Sequence, residues 1–236
     1  MARGFGTTFG TNANDRITGG TSVTKGTTLS IAAWVWRNGA GGGNVGTIFA
    51  VSDSVFTVPY VDLYTTSTTT RFEIGWSTST GATAAWTCPV LSNSVWHHLA
   101  LTYDGGSTSN APVMYIDGTS QTVTTVKAAS GSLSAVTQPL CIGGVSGGTY
   151  GWDGKIAEGA FWNSTILTAN EVKALSLGAA PFRVRPDALT LYCPLWGTAS
   201  GEPDFGPNHY SMSVTGAAAQ SHAPVQLFSG RNRRIG

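Results

Sequence analysis

Charge is what this chain has least of: of its 236 residues only 11% are charged, 13 basic against 12 acidic. A surface so sparsely and evenly charged carries no broad field to recruit nucleic acid or an anionic membrane, so neither is an expected partner. Cysteine is also scarce. Cys88, Cys141 and Cys193 are too few and too far apart for a disulfide framework or a zinc site. Cys141 and Cys193 lie in apolar strand contexts and read as small buried hydrophobes. No apolar run approaches the ~20 residues of a membrane span, and Met1 to Gly10 lacks the apolar stretch of a secretory leader. The expectation is a protein made in the cytosol with free thiols. Convincing helical period is confined to one segment. What remains is Thr, Ser, Val, aromatics and 31 glycines, the composition of many short strands between glycine-rich turns. A chain of this length fits one such sandwich and can bury a sizeable core.

The most informative stretch is Trp96-His97-His98-Leu99-Ala100-Leu101-Thr102-Tyr103-Asp104-Gly105, followed by Val113-Met114-Tyr115-Ile116-Asp117-Gly118. Leu99, Leu101 and Tyr103 fall on one face of a strand and His98, Ala100 and Thr102 on the other, the period of a half-buried strand. Asp117-Gly118 supplies the positive φ of a two-residue hairpin turn. Together these residues resemble the centre of a laminin-G-like, concanavalin-A-type jelly roll. The fold class expected is therefore all-β: a two-sheet antiparallel jelly-roll sandwich with one short helix near 168–178. Leu29 to Trp36, apolar on both faces, suits a strand covered on both sides. Tyr60 to Tyr64 and Arg71 to Trp76 flank Thr65 to Thr70, which reads as the exposed tip of a hairpin.

The helix is marked by Thr168 and Glu171 as a capping box, Leu167 and Val172 as a hydrophobic staple and Gly178 as the stop. The strand Gly154 to Asn163 leads into it, and strand plus helix resemble the closing element of the same family. Ala157 stands where that family usually has an aspartate. If the aspartate serves a calcium site, this chain has lost a ligand. Leu189 to Trp196 and Asp204 to Tyr210 resemble an opening strand and its following loop, yet they come after the helix, whereas Gly4 to Ile17 resembles the segment that follows that loop. The order resembles a circular permutation, which sandwich termini lying close together would allow. The alternative is a strand lent to a neighbouring copy. In either case residues 1–220 are expected to form a single domain, with 187–214 completing the sandwich. Leu189 to Trp196 is expected to pair with the strand around Ile156 to Trp162.

Two motif matches carry no chemistry. Gly144-Val145-Ser146-Gly147-Gly148 fits G-x-S-x-G, but loop residues follow it where a nucleophile elbow needs a helix. Gly41-Gly42-Gly43-Asn44-Val45-Gly46 fits G-x-G-x-x-G, yet a strand follows, leaving no helix N-terminus for a pyrophosphate. The E-x-D-x-x-E spacing that the fold's hydrolases resemble is missing around Glu73 and Glu158, although a carboxylate pair drawn from distant strands stays open. His97 and His98 point to opposite faces, and His209 and His222 are isolated, so no metal cluster is expected. No cofactor is expected, with calcium through Asp53, Asp62, Asp104 or Asp153 left open.

Aromatics are the remaining candidates. Most should fill the core, and Trp76, Trp86, Tyr150 and Trp152 are the choice for a sugar platform. Two functions follow, neither catalytic: first a virion component of the capsid-decoration or fibre type with a lectin-like fold, and as the alternative a free-standing lectin-like glycan-binding module. The first rests on the layout, which resembles proteins encoded by tailed bacteriophages. From Ser221 onward there are three basic residues, Arg231, Arg233 and Arg234, and no acid, against 10 basic and 12 acidic residues before it. Residues 221–236 therefore read as a basic arm that anchors on another copy or on a capsid protein.

Overall fold

The computed structural model describes residues 1–10, 14–52, 60–76, 83–135, 137–197 and 201–222. Two antiparallel sheets face each other. The first holds eight strands: β1 (Ala2–Phe5), β3 (Thr28–Arg37), β8 (Trp96–Asp104), β9 (Val113–Ile116), β10 (Thr119–Ser120), β13 (Gly154–Asn163), β14 (Leu189–Cys193) and β17 (Ala218–Gln220). The second holds nine: β2 (Arg16–Thr24), β4 (Gly46–Val51), β5 (Val61–Thr65), β6 (Thr69–Gly75), β7 (Thr83–Pro89), β11 (Thr124–Lys127), β12 (Thr137–Ile142), β15 (Gly201–Glu202) and β16 (Met212–Thr215). Their spatial orders are β10-β9-β8-β3-β13-β1-β17, with β14 also on β13, and β11-β7-β6-β5-β4-β12-β2-β16-β15. This is the expected jelly-roll sandwich.

Strict alternation builds the core. On β3, Leu29, Ile31, Ala33 and Val35 face inward, and on β8 Leu99, Leu101 and Tyr103 do the same, meeting Leu63, Phe72 and Ile74 from the second sheet. The outer face of β3 is covered too. Ala32, Ala100, Ala160, Trp162 and Leu189 lie under α2 (Ala169–Ser176), which buries Val172 and Leu175 against them. That second small core is why β3 is apolar on both faces. The helix begins as its sequence requires: Thr168 Oγ1 accepts from the Glu171 N–H at 3.3 Å, and Glu171 Oε2 accepts from the Thr168 N–H at 2.8 Å. Leu167 and Val172 are both buried as a staple. Among the described residues the other helical pieces are one-turn segments: α1 (Gly6–Phe9) and 3-10 turns at Gly42–Asn44, Pro181–Arg183 and Pro186–Ala188.

A bulge in β13 decides where the last third of the chain goes. The register against β3 shifts between Ala157 and Ala160, and Glu158 there takes φ +53. Before the bulge β13 pairs with β1 (Arg3↔Ile156), and after it with β14 (Gly159↔Cys193, Phe161↔Leu191), in the same chain. The far edge of β14 is closed by the Asp204 loop: Asp204 accepts from the N–H groups of Tyr192 (2.9 Å), Gly206 (2.7 Å) and Tyr210 (2.9 Å). Loops that satisfy an edge strand in this way keep it from pairing with another chain. Ala157, at the aspartate position of the family, is buried beside Ala2 and Trp34.

Candidate functional site

The hairpin β5–β6 places the richest set of polar side chains on the outer face of the nine-stranded sheet. Val61, Leu63, Phe72 and Ile74 point into the core, so Asp62, Tyr64, Arg71 and Glu73 must point away from it. The register puts Tyr64 opposite Arg71 and Asp62 opposite Glu73. Thr65 and Thr70 also pair and are buried, so the exposed tip shrinks from the expected Thr65–Thr70 to Ser67 and Thr68. Val45 enters from the glycine loop before β4. Tyr150 enters from the loop after β12, held by its carbonyl, which accepts from the Thr47 N–H at 2.9 Å. Val45, Tyr60, Asp62, Tyr64, Glu73 and Tyr150 line a pocket of ≈ 180 Å³.

Glu73 organises the pocket. Its carboxylate accepts from the Tyr64 hydroxyl at 3.0 Å and from the Tyr60 hydroxyl, and it pairs with the Arg71 guanidinium, which lies 5.9 Å from the Tyr64 ring centre. Burial and then the Glu73 charge push the pKa of both tyrosines up, which keeps them neutral donors. Asp62 is 1% exposed. Thr47 Oγ1 lies 3.5 Å from its Oδ2, and its Oδ1 has no partner among the described residues. Burial first and the facing Glu73 second push its carboxyl pKa well above the usual range, with Thr47 pulling the other way. Chemically the arrangement is a tyrosine-walled cup bordered by two carboxyl groups.

A laminin G-type sequence model, described as the concanavalin A-like lectin/glucanases superfamily, matches residues 9–173. The chain belongs to this superfamily. Among solved structures, a proposed carbohydrate-binding protein from Bacteroides ovatus ATCC 8483 superposes with a TM-score of 0.61 at 20% identity, over 95% of this chain. The match spans 61% of that protein's length. A heptameric SAP-like pentraxin from Limulus polyphemus aligns at TM-score 0.50 and 16% identity, over 69% of this chain and 75% of its own. The enzymatically active domain of bacteriophage CBA120 tailspike protein 2 aligns at TM-score 0.50 and 17% identity, over 76% of this chain and 28% of its own. At these identities the likeness is one of fold. No curated protein sequence matches the chain significantly. Strands β14 to β17 lie beyond the part of this superfamily member that the sequence model covers: β14 pairs with β13, β17 ends the first sheet beyond β1, and β16 and β15 extend the second sheet beyond β2.

Of the four aromatics expected to form a sugar platform, the structure brings only Tyr150 to the pocket. Trp76, Trp86 and Trp152 are 3%, 2% and 0% exposed and sit in the main core. The Trp76 indole donates to Tyr103 Oη at 2.8 Å, and Trp86 stacks on Phe72 with ring centres 6.0 Å apart. A ring enclosed on both faces has none left for a pyranose, so these three are corrected to core residues. The most exposed aromatics among the described residues, Phe182, Trp196 and Phe205, gather around Tyr192 on the other sheet, where Tyr192 Oη donates to Glu158 at 2.5 Å. Glu158 also meets His222 Nε2 at 2.9 Å.

The other expected ligands are engaged locally. Asp104 accepts from the Gly106 N–H at 2.8 Å, and Asp153 accepts from Asn38 Nδ2 at 3.0 Å. Among the described residues no three His, Cys, Asp or Glu side chains are grouped to hold a metal ion. His97 contacts Ser92 and Asp117, whereas His98 is buried beneath Trp34. The three cysteines are free thiols and buried. Among the described residues no helix is long and apolar enough to cross a membrane. Asp53, Arg231, Arg233 and Arg234 lie outside the described residues.

Proposed function

We propose that the protein is a non-catalytic, lectin-like module that binds a glycan in the pocket formed by Tyr60, Asp62, Tyr64, Glu73 and Tyr150. The observation that carries this reading is the unpartnered Asp62 Oδ1 at a pocket walled by three tyrosines. Ligand pockets combine such apolar and aromatic walls with a few placed polar groups. The similarity of fold to a proposed carbohydrate-binding protein supports it. Against turnover stands the engagement of Glu73. Tyr60, Tyr64 and Arg71 occupy both of its oxygens, whereas a glycosidase needs one carboxylate aimed at the anomeric carbon or its water and another at the leaving oxygen.

A glycan array probed with the wild-type protein and with Tyr64→Ala and Glu73→Gln tests the site. Signals that fall by about tenfold or more in both variants are expected from loss of a charge-assisted hydrogen-bond network. Array binding that is indifferent to both substitutions sinks the pocket as the site. Hydrolysis of any array glycan, lost in Glu73→Gln, sinks the non-catalytic reading.

A second reading concerns location. The net charge of +3 over residues 221–236, with no acid among them, supports a virion component of a tailed bacteriophage whose arm, through Arg231, Arg233 and Arg234, anchors on another copy or on a capsid protein. Deleting residues 226–236 is expected to lower the protein's abundance in purified particles, measured by mass spectrometry, with the melting temperature retained. Unchanged abundance refutes the anchor, and absence of the intact protein from particles refutes the location.

A further inference from the structure

The geometry points to a ligand that carries a protonated amine: the pocket is built for an amino sugar in preference to a neutral or N-acetylated one. This rests on the glycan-binding reading and narrows it. The hydroxyls of Tyr60 and Tyr64 and the guanidinium of Arg71 all donate to Glu73. Among the side chains that line the pocket, the buried polar atom without a partner is Asp62 Oδ1, on a residue 1% exposed; Arg71 Nε, also without a partner among the described residues, belongs to a side chain outside that lining. To an ionised Asp62, which only accepts, a ligand must bring a donor.

Charge narrows the choice of donor. Asp62 and Glu73 are cross-strand neighbours, and Arg71 on the same hairpin is the cation paired with Glu73. The pair thus holds one carboxyl more than Arg71 balances. A sugar hydroxyl can donate, but it also carries lone pairs into a site bordered by two carboxyls. An N-acetyl group brings a carbonyl oxygen there. An ammonium donates three hydrogen bonds and presents no acceptor. The Asp62 carboxyl is held up in pKa partly by the Glu73 charge. A bound cation opposes that repulsion, so the amine and the ionised Asp62 stabilise one another. Rejection of the acetylated sugar then follows from an acceptor placed against acceptors.

The test is calorimetric titration near neutral pH with three probes: the β-1,4-linked trimers of glucosamine, N-acetylglucosamine and glucose. The glucosamine trimer is expected to bind at least about tenfold tighter than either of the others. In Asp62→Asn, which keeps the shape and removes the charge, that preference is expected to fall to about twofold or less. The ranking by the wild-type protein decides the matter even where the variant fails to fold. Equal or tighter binding of the acetylated or the glucose trimer, reduced by Tyr64→Ala, overturns the amine and leaves the glycan site standing. Binding of the glucosamine trimer that disappears with a chelator overturns it in favour of a bound cation such as calcium, which needs ~6–8 oxygen ligands. Failure of all three trimers overturns it as well, and the array result then judges the glycan reading separately.

Discussion

Replacing Glu202 by alanine is expected to lower the unfolding free energy by about 3–5 kcal/mol, the cost of leaving one partner of a buried ion pair behind. Arg3 on β1 and Glu202 on β15 are 5% and 4% exposed, and the guanidinium Nε donates to Glu202 Oε1. The same oxygen accepts from the Gly197 N–H at 3.0 Å, and Arg3 Nη1 donates to the Ala217 carbonyl at 2.8 Å. One strand of the pair lies in each sheet, so the contact joins the two layers near their edges. In the alanine variant the Arg3 charge stays where water cannot reach it. Urea unfolding measures the loss. Replacing both residues together, Arg3→Met with Glu202→Leu, is expected to cost far less than the single change, because a buried pair contributes little beyond an apolar filling of the same volume. A single-variant loss below about 1 kcal/mol, the scale of a solvated surface pair, would contradict the burial argument.

Local features of this fold were readable in the sequence, and the long-range ones were not. The α2 capping box, the Asp117-Gly118 turn and the alternation of β3 and β8 each depend on residues a few positions apart, where propensity and period act directly. The Arg3–Glu202 pair joins residues 199 positions apart, and nothing near either one marks the other. The pocket falls between these cases. Its hairpin was readable, and centring the register on the threonine tip would have set Asp62 opposite Glu73 without a structure. The spacing of two carboxylates along one strand is the pattern sought there, and a pair across strands stays open without being placed. The tryptophans misled for a different reason. Trp152 stands beside glycines that look like loop, yet the loop turns inward and its ring fills the space between the sheets, and Gly46 and Gly154 are glycines where a Cβ would meet that ring. Composition says how many aromatics a core of this size needs, but not which of them it takes.

Acidification is expected to remove about 3 kcal/mol of stability through one side chain, His98. The imidazole is 2% exposed, its ring lies edge-on to Trp34 at 5.5 Å, and its Nδ1 has no partner among the described residues. Burial lowers its pKa from 6.5 to about 4, against a smaller opposing pull from Asp117, whose Oδ1 accepts from the His98 backbone N–H. Between these values the unfolded chain binds a proton at this site and the folded chain does not. Stability is therefore complete above pH 6.5, falls as the pH drops towards 4 by about 1.4 kcal/mol per unit, and stops falling once the folded imidazole takes up its proton. Urea midpoints across this range, compared between the wild-type protein and His98→Phe, isolate the contribution, since phenylalanine fills a similar space without titrating. The wild-type protein should lose about 3 kcal/mol more than the variant over the window. Parallel curves, or an imidazole of His98 that titrates at its ordinary value in the folded protein by NMR, would show that water reaches this side chain and that the outer face of the eight-stranded sheet opens where it is closed here.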